Sequence, residues 1–221
     1  MRIGIWTLTK DRLDYTKRCS YALLKSGHGG VEHLFIDNGS QDGTVQWLDA
    51  QCGNNFHKII NNENKGISAG WRQAFFYFKA QGFMPEDMII KMDNDCEIKT
   101  DGLINKLIKF NKLVGPGVIA VPRCTGVKGY DSIESELFPP FTFTRTDQVG
   151  GIFWPCRLFE MEWIIHSAIR HRDSMNCNLM RKMGYKVGFI DNLMVHHMDT
   201  TAGQGKKYPE YFADERPWYR Y

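Results

Sequence analysis

The sequence predicts an α/β fold in which a mainly parallel, doubly wound sheet is flanked by helices within a single domain. Short apolar segments alternate with segments of helical periodicity through the first half of the chain, and this alternation is typical of parallel sheets. The apolar segment Met88–Met92 is too short for a helix and indicates a strand buried on both faces. A chain of 221 residues can bury a substantial core.

Five strands are predicted in the first half, with helices between them. The strands are Ile3–Trp6, Val31–Ile36, Phe56–Ile60, Met88–Met92 and Val118–Val121. The helices are indicated by apolar residues three or four positions apart, which share one helical face. Their stripes are Tyr15, Cys19, Ala22 and Leu23; Trp47 and Leu48; Ile67, Trp71, Phe75 and Phe78; and Leu103, Leu107 and Phe110. Thr100 is predicted to cap the last helix.

The second half of the chain is less regular. Periodicity disappears from Arg123 to Gln148, and we expect a long loop over the functional site there, because long structureless segments are often lids. The later predicted segments are Gly150–Trp154, a helix from about Asp173 to Met183, extended pieces at Val187–Ile190 and Leu193–His197, and a C-terminal tail over residues 201–221.

Composition excludes several classes of protein. A formal charge of +3 without a Lys/Arg-rich run argues against nucleic acid as a partner. The six cysteines form no C-x-x-C pair, which indicates free thiols in a reducing compartment. We find no signal peptide and no apolar run of about 20 residues. These features predict a cytoplasmic protein whose membrane contact is at most peripheral.

Two carboxylates follow the strand Met88–Met92 directly. Asp93 and Asp95 would lie at its carboxyl end, where open α/β sheets bind ligands. Crowded carboxylates repel each other unless a cation lies between them, and hard oxygen ligands suit Mg²⁺ or Mn²⁺. The alternative is an acidic turn that merely ends the strand.

Polar segments follow three predicted strands and lie at one edge of the sheet. They are Thr7-Leu8-Thr9, Asp37-Asn38-Gly39-Ser40 and Asp93-Asn94-Asp95. The segments Phe35-Ile36-Asp37-Asn38-Gly39-Ser40-Gln41-Asp42-Gly43-Thr44, Asn62-Glu63-Asn64-Lys65-Gly66 and Lys91-Met92-Asp93-Asn94-Asp95 resemble, in this order and spacing, the family 2 glycosyltransferases of the GT-A fold, a Rossmann-like architecture. The resemblance continues in Gly150-Gly151-Ile152-Phe153-Trp154-Pro155, in Arg172-Asp173 with the later Gly184-Tyr185, and in Val195-His196-His197. It covers roughly residues 2 to 200.

The resemblance implies an activity and a division of the chain. The expected reaction is metal-dependent, inverting transfer of a sugar from a nucleoside-diphosphate sugar to a hydroxyl acceptor, either a glycan or a glycoprotein. The expected domain covers residues 1–200, with a nucleotide-sugar-binding half at 1–122 and an acceptor-side half at 123–200. The family's metal is expected to be Mn²⁺ or Mg²⁺, held by Asp95, with Asp93 on the ribose or the metal. His196 is the expected third ligand and His197 its neighbour, although a lone histidine is also a common structural residue.

Further side chains are candidates for donor binding. They are Thr7, Thr9, Asp37, Asn38, Lys65, Arg72, Asp93 and Trp154. Each has a simpler alternative: Asp37 could form an Asx-turn, the two basic residues could be solvated, and Trp154 could belong to the core.

The general base is expected at Asp173, because the family places its base at the aspartate of a Glu-Asp pair. The sequence departs from that pattern, since Arg172 stands where the glutamate is usual. Asp173 could instead only cap its helix. In that event the base is to be sought among Asp147, Glu160 and Glu162.

Two rival functions are retained. A sugar-1-phosphate nucleotidylyltransferase would use a similar sheet, but it would need a Gly-rich loop after the first strand, and residues 7–12 contain no glycine. A catalytically impaired nucleotide-sugar-binding module is favoured by the altered Arg172-Asp173 pair.

Overall fold

A computed structural model describes residues 1–26, 30–51, 55–126, 131–167 and 173–198. The strands are β1 (Ile3–Thr9), β2 (Glu32–Asn38), β3 (Phe56–Asn61), β4 (Met88–Met92), β5 (Cys96–Ile98), β6 (Val118–Thr125), β7 (Glu134–Phe138), β8 (Phe141–Arg145), β9 (Phe153–Arg157) and β10 (Lys186–His197). The helices are α1 (Leu13–Lys25), α2 (Thr44–Ala50), α3 (Gly66–Ala80), α4 (Leu103–Val114), α5 (Leu158–His166) and α6 (Asp173–Lys182).

The first sheet has the strand order β3-β2-β1-β4-β9. Its first four strands are parallel, and β9 pairs antiparallel with β4. Strands β1, β2 and β4 therefore end at one edge, where the predicted polar segments lie. The α/β fold and its mainly parallel sheet are confirmed.

Helices cover both faces of this sheet because its central strands are apolar on both sides. Trp6 and Ile89 pack with α3 and α5 on one face, whereas Ile5 and Ile90 pack with α1 and α4 on the other. Successive side chains of a strand point to opposite faces, so each strand contributes to both clusters.

The second sheet is mixed. Strands β5, β10, β8 and β7 follow one another, and β6 pairs with β10 in parallel. The pieces expected at Val187–Ile190 and Leu193–His197 belong to one strand, β10, whose pairing with β6 is irregular between Ile190 and Met194. The end of this long strand pairs with β5, the short strand that follows the predicted carboxylates Asp93 and Asp95.

Residues 123–148, predicted as a long loop, contain strands in the structure. Within 123–148 the structure has the end of β6 and an antiparallel hairpin, β7 and β8, that pairs with β10. The alternation Phe141-Thr142-Phe143-Thr144 is the sequence signal for β8, since Phe141 and Phe143 are buried. β7 is an edge strand with mostly solvated side chains, so it lacks an apolar pattern.

Two local predictions also change. Thr100 does not cap α4: its hydroxyl accepts a hydrogen bond from the Met194 amide at 2.7 Å, and Gly102 precedes the helix. Helix α5 was not expected. The tail 201–221 and Arg172 lie outside the described residues. Within the described ranges, we find no helix with the length and hydrophobicity needed to span a membrane.

Candidate functional site

Asp95 lies at the centre of the polar edge, where three elements meet. Its side chain is buried, and Oδ2 lies 3.2 Å from Arg12 Nη1 and 3.2 Å from His197 Nε2. Burial alone would raise the pKa of this carboxyl group, but the hydrogen bond from His197 and the charge of Arg12 lower it. Asp95 is therefore held as a carboxylate.

Arg12 reaches Asp95 because of an unusual backbone turn after β1. Asp11 and Arg12 have φ values of 52° and 60°, in the left-handed region that non-glycine residues rarely adopt. This turn directs the guanidinium inward, where Nη2 also donates to Asn94 Oδ1 at 2.8 Å. Such strained backbone clusters at functional sites.

The end of β10 places one of the two adjacent histidines in the site. Met198 N donates to the Asp95 carbonyl at 2.8 Å, which aligns His197 with Asp95. Neighbouring residues of a strand point to opposite faces, and His196 accordingly turns away, with Nδ1 2.9 Å from Thr125 Oγ1. The structure thus brings His197, and not the expected His196, to the carboxylate.

Asp93 occupies a different environment two residues earlier. Its side chain is one-third exposed, and Oδ1 lies 2.6 Å from the ammonium of Lys91. Burial raises the pKa of Asp93, and the charge of Asp95 adds to this rise, although Lys91 opposes it. The two carboxylates predicted as a pair therefore have separate basic partners, neither of which the sequence analysis identified.

Asp173, the expected base, begins α6 and lies close to the same edge. Its Oδ2 accepts a hydrogen bond from the Gly151 amide at 2.8 Å. A Cβ at position 151 would lie 1.8 Å from Asp173 Oδ1, so any other residue there would displace this carboxylate. The Gly-Gly signal in the sequence corresponds to this close approach.

The alternative bases lie elsewhere. Glu160 lies on α5 shortly after Arg157, and Arg157 pairs with Met88 at the amino end of β4. That end of β4 is about four residues, or ~13 Å, from its carboxyl end. The Glu160 carboxylate accepts from Arg157 N at 2.7 Å. Glu162 pairs with Lys79, and Asp147 pairs with Arg181. Asp173, by contrast, contacts the polar edge through the Gly151 amide.

The ends of β1 and β2 form the adjoining part of the edge. Asp37 is buried; Oδ1 accepts from the amides of Gly39 and Ser40 at 3.0 and 2.9 Å, and Oδ2 accepts from Thr9 Oγ1 at 2.9 Å. This is the Asx-turn that the sequence analysis offered as the alternative to base or ribose binding. Asn38 is also held by side chains: its Nδ2 donates to Asn64 Oδ1 at 3.1 Å, and its Oδ1 accepts from Asn61 Nδ2 at 3.0 Å.

The remaining donor-binding candidates are dispersed. Thr7 has no exposed surface and its Oγ1 lies 3.0 Å from His33 Nε2. Trp154 is also fully buried in the core, which matches the alternative given for it. Lys65, immediately before α3, and Arg72, near the middle of that helix, are both exposed.

The donor atoms at the edge fit a divalent cation. Asp95 Oδ2 and His197 Nε2 lie 3.2 Å apart, and a carboxylate oxygen and a neutral imidazole nitrogen can both bind a divalent cation. No cluster of three or more His, Cys, Asp or Glu side chains with metal-site geometry occurs in the described ranges. If such an ion binds at this edge, Asp95 and His197 would hold it, with Asp93 nearby.

Several solved structures have a similar fold. A crystal structure of GalNAc-T7 with UDP, GalNAc and Mn²⁺ superposes with a TM-score of 0.68 at 14% identity, covering 98% of this chain and 50% of that one. The mannosyltransferase PcManGT from Pyrobaculum calidifontis, in complex with GDP-Man and Mn²⁺, gives 0.65 at 12% identity over 97% and 60%. S. aureus TarS 1–349 gives 0.64 at 11% identity over 98% and 64%.

The chain therefore spans from half to about two-thirds of the length of these proteins, and it shares their GT-A fold. A comparison with curated protein sequences found no significant match. Residues 5–171 match the model of the Glycosyl transferase family 2, and the chain belongs to that family.

Proposed function

We propose that this protein catalyses metal-dependent, inverting transfer of a sugar from a nucleoside-diphosphate sugar to a hydroxyl group of a glycan or glycoprotein. The observation that carries the proposal is the contact of His197 with Asp95 at the edge of the sheet where Gly151 holds Asp173. Family membership and the nucleotides named with the similar structures support the same reaction.

Asp95 and His197 are proposed to hold Mn²⁺ or Mg²⁺, with Asp93 on the ribose or the ion. When bound, the ion supplies positive charge to the diphosphate leaving group. His197 thereby replaces His196 as the proposed ligand, because its ring faces Asp95. The guanidinium of Arg12 adds fixed positive charge to the same edge.

Asp173 is proposed to accept the proton of the acceptor hydroxyl. The acceptor oxygen forms a bond to the anomeric carbon on one face while the bond from that carbon to the diphosphate breaks on the other, which inverts the configuration. The Gly151 amide, which donates to Asp173 Oδ2 at 2.8 Å, orients this carboxylate. The cytoplasmic location stays a prediction.

The proposal is tested with a screen of nucleotide sugars in the presence of Mn²⁺, measuring both nucleotide release and sugar transfer. We expect Asp95→Ala to lower turnover by at least ~100-fold, since it removes a ligand that neutralises the leaving group. Asp49→Ala is the matched control, because Asp49 is an exposed aspartate paired with Lys58. Chelator should inhibit the unsubstituted protein and added Mn²⁺ should restore it. Full activity in excess chelator would contradict the metal dependence.

The histidines provide a second, binding-level readout. Calorimetric titration of nucleoside diphosphate with Mn²⁺ should show weakened binding in His197→Ala and nearly unchanged binding in His196→Ala. The opposite ranking would return the ligand to His196. Binding without turnover of any donor in the screen would favour the impaired binding module.

A further inference from the structure

Lys91 is a charged residue in the interior of the first sheet. It lies in β4 between Ile90 and Met92, and its strand neighbours are Trp6 and Trp154. Only 7% of its side chain is exposed. A buried ammonium is costly unless it is paired and hydrogen-bonded. Its presence in an otherwise apolar strand therefore requires specific partners.

The partners of Lys91 belong to two different parts of the site. Nζ lies 2.6 Å from Asp93 Oδ1 and donates to the Gly151 carbonyl at 2.8 Å. The amide of Gly151 donates in turn to Asp173 at 2.8 Å. One ammonium and one glycine thus connect the carboxylate proposed for the donor with the carboxylate proposed as the base.

The connection is reinforced by the backbone. Asp93 N donates to the Ile152 carbonyl at 2.8 Å, so the 151–152 segment is held both by the β4 backbone and by Lys91. The absence of a Cβ at Gly151 allows Asp173 to approach this segment closely.

We propose that Lys91 is a positioning residue that fixes the distance between the donor-side carboxylate Asp93 and the base Asp173 by way of Gly151. This inference rests on the proposed function. It differs from simple neutralisation of a buried charge, in which any cation at position 91 would serve. Misplacement of reacting groups by about 1 Å can reduce a rate by 10²-fold, so the distance that Lys91 sets governs the chemical step more than binding.

The test uses Lys91→Met, which keeps most of the length of the side chain and removes its charge and hydrogen bonds. We expect kcat for transfer to fall by at least ~100-fold, while the affinity for nucleoside diphosphate with Mn²⁺, measured by calorimetry, changes less than ~5-fold. Lys186→Met is the matched control, because Lys186 is an exposed lysine paired with Glu136 at the opposite end of β10. A parallel loss of nucleotide affinity in Lys91→Met would overturn the proposal.

A second variant, Lys91→Arg, retains the buried charge, so Asp93 keeps a cationic partner. Its longer, planar head group cannot hold Asp93 and Gly151 at the lysine spacing, so we expect kcat to fall by about 10-fold or more, with nucleotide affinity retained. A normal kcat in Lys91→Arg would show that Lys91 only neutralises a buried charge, and it would overturn the proposal. If Lys91→Met does not fold, the kcat of Lys91→Arg is the test. Absence of transfer by the unsubstituted protein would contradict the proposed function instead, so the two failures are distinguishable.

Discussion

His33 shows how one buried side chain can control the response of the fold to acid. The imidazole is packed against Phe35, with ring centroids 4.0 Å apart, and its Nε2 meets Thr7 Oγ1 at 3.0 Å. Burial lowers the pKa of His33 from 6.5 to about 3. The folded protein therefore keeps this ring neutral at pH values where the unfolded chain protonates it.

The sign of the effect follows from this difference. Below about pH 6.5 the unfolded state binds a proton that the folded state does not, so stability falls as the pH falls from 6.5 towards 3. One pH unit in this window costs up to about 1.4 kcal/mol. We expect urea unfolding of the unsubstituted protein to show a free energy lower by about 2 kcal/mol at pH 5 than at pH 7.5 from this residue. In His33→Gln this part of the loss should disappear. An identical pH dependence in both proteins would contradict the assignment.

Arg12 and Lys91, the two basic partners of the site carboxylates, could not be found from the residue pattern alone. Arg12 and Lys91 are far from each other and from Asp173 in sequence, and each has an ordinary alternative as a solvated side chain. Their roles depend on the turn at residues 11 and 12 and on the position of β4 between β1 and β9. Asp93 and Asp95, by contrast, follow a recognisable strand directly, and the sequence predicts their place at the sheet edge.

At the scale of elements, the site depends on two antiparallel strand pairs, one in each sheet. β9 runs against β4, which brings the residues before it, including Gly151, to the carboxyl end of β4. β5 runs against the end of β10, which brings His197 to Asp95. The alternation of strands and helices predicts the parallel strands, but it does not specify which edge a later strand joins.

Helix α6 contributes to the site through its first residue. Asp173 begins the helix and binds the Gly151 amide. Asp173→Asn keeps the size of the side chain and an oxygen that can accept this bond, and Asn caps helices about as well as Asp. It removes the basicity. We expect transfer to fall by at least ~100-fold, with thermal stability and nucleotide affinity nearly unchanged, as measured by melting, calorimetry and steady-state kinetics.

The control for this substitution acts on the same contact from the other side. Gly151→Ala introduces a Cβ that would overlap Asp173 Oδ1, so it displaces the carboxylate without altering its chemistry. Transfer should fall in this variant too. Near-normal transfer in Asp173→Asn would show that the carboxylate only caps the helix.

At the scale of the whole molecule, the two hydrophobic clusters are parts of one structure. The clusters lie on opposite faces of the first sheet, and β1 and β4 supply alternate residues to each. The second sheet joins the same assembly, because Val187 and Phe189 of β10 belong to one cluster and Ile190 belongs to the other. The two halves expected at 1–122 and 123–200 thus share their core.

A shared core predicts a single cooperative unfolding transition for the described fold. Phe75 of α3 and Phe110 of α4 are fully buried in different clusters. Phe75→Ala and Phe110→Ala should each cost about 3–5 kcal/mol, which lowers Tm by about 6–20 °C for a domain of this size. Both substitutions should shift the same transition, whether it is followed by circular dichroism or by tryptophan fluorescence.

Their effects should add in the double variant, because the residues share no cluster. Phe76→Ala, at an exposed neighbouring position on α3, should change stability by no more than about 0.5 kcal/mol. Two separate transitions, each sensitive to only one of the buried substitutions, would instead show that the faces of the sheet unfold independently.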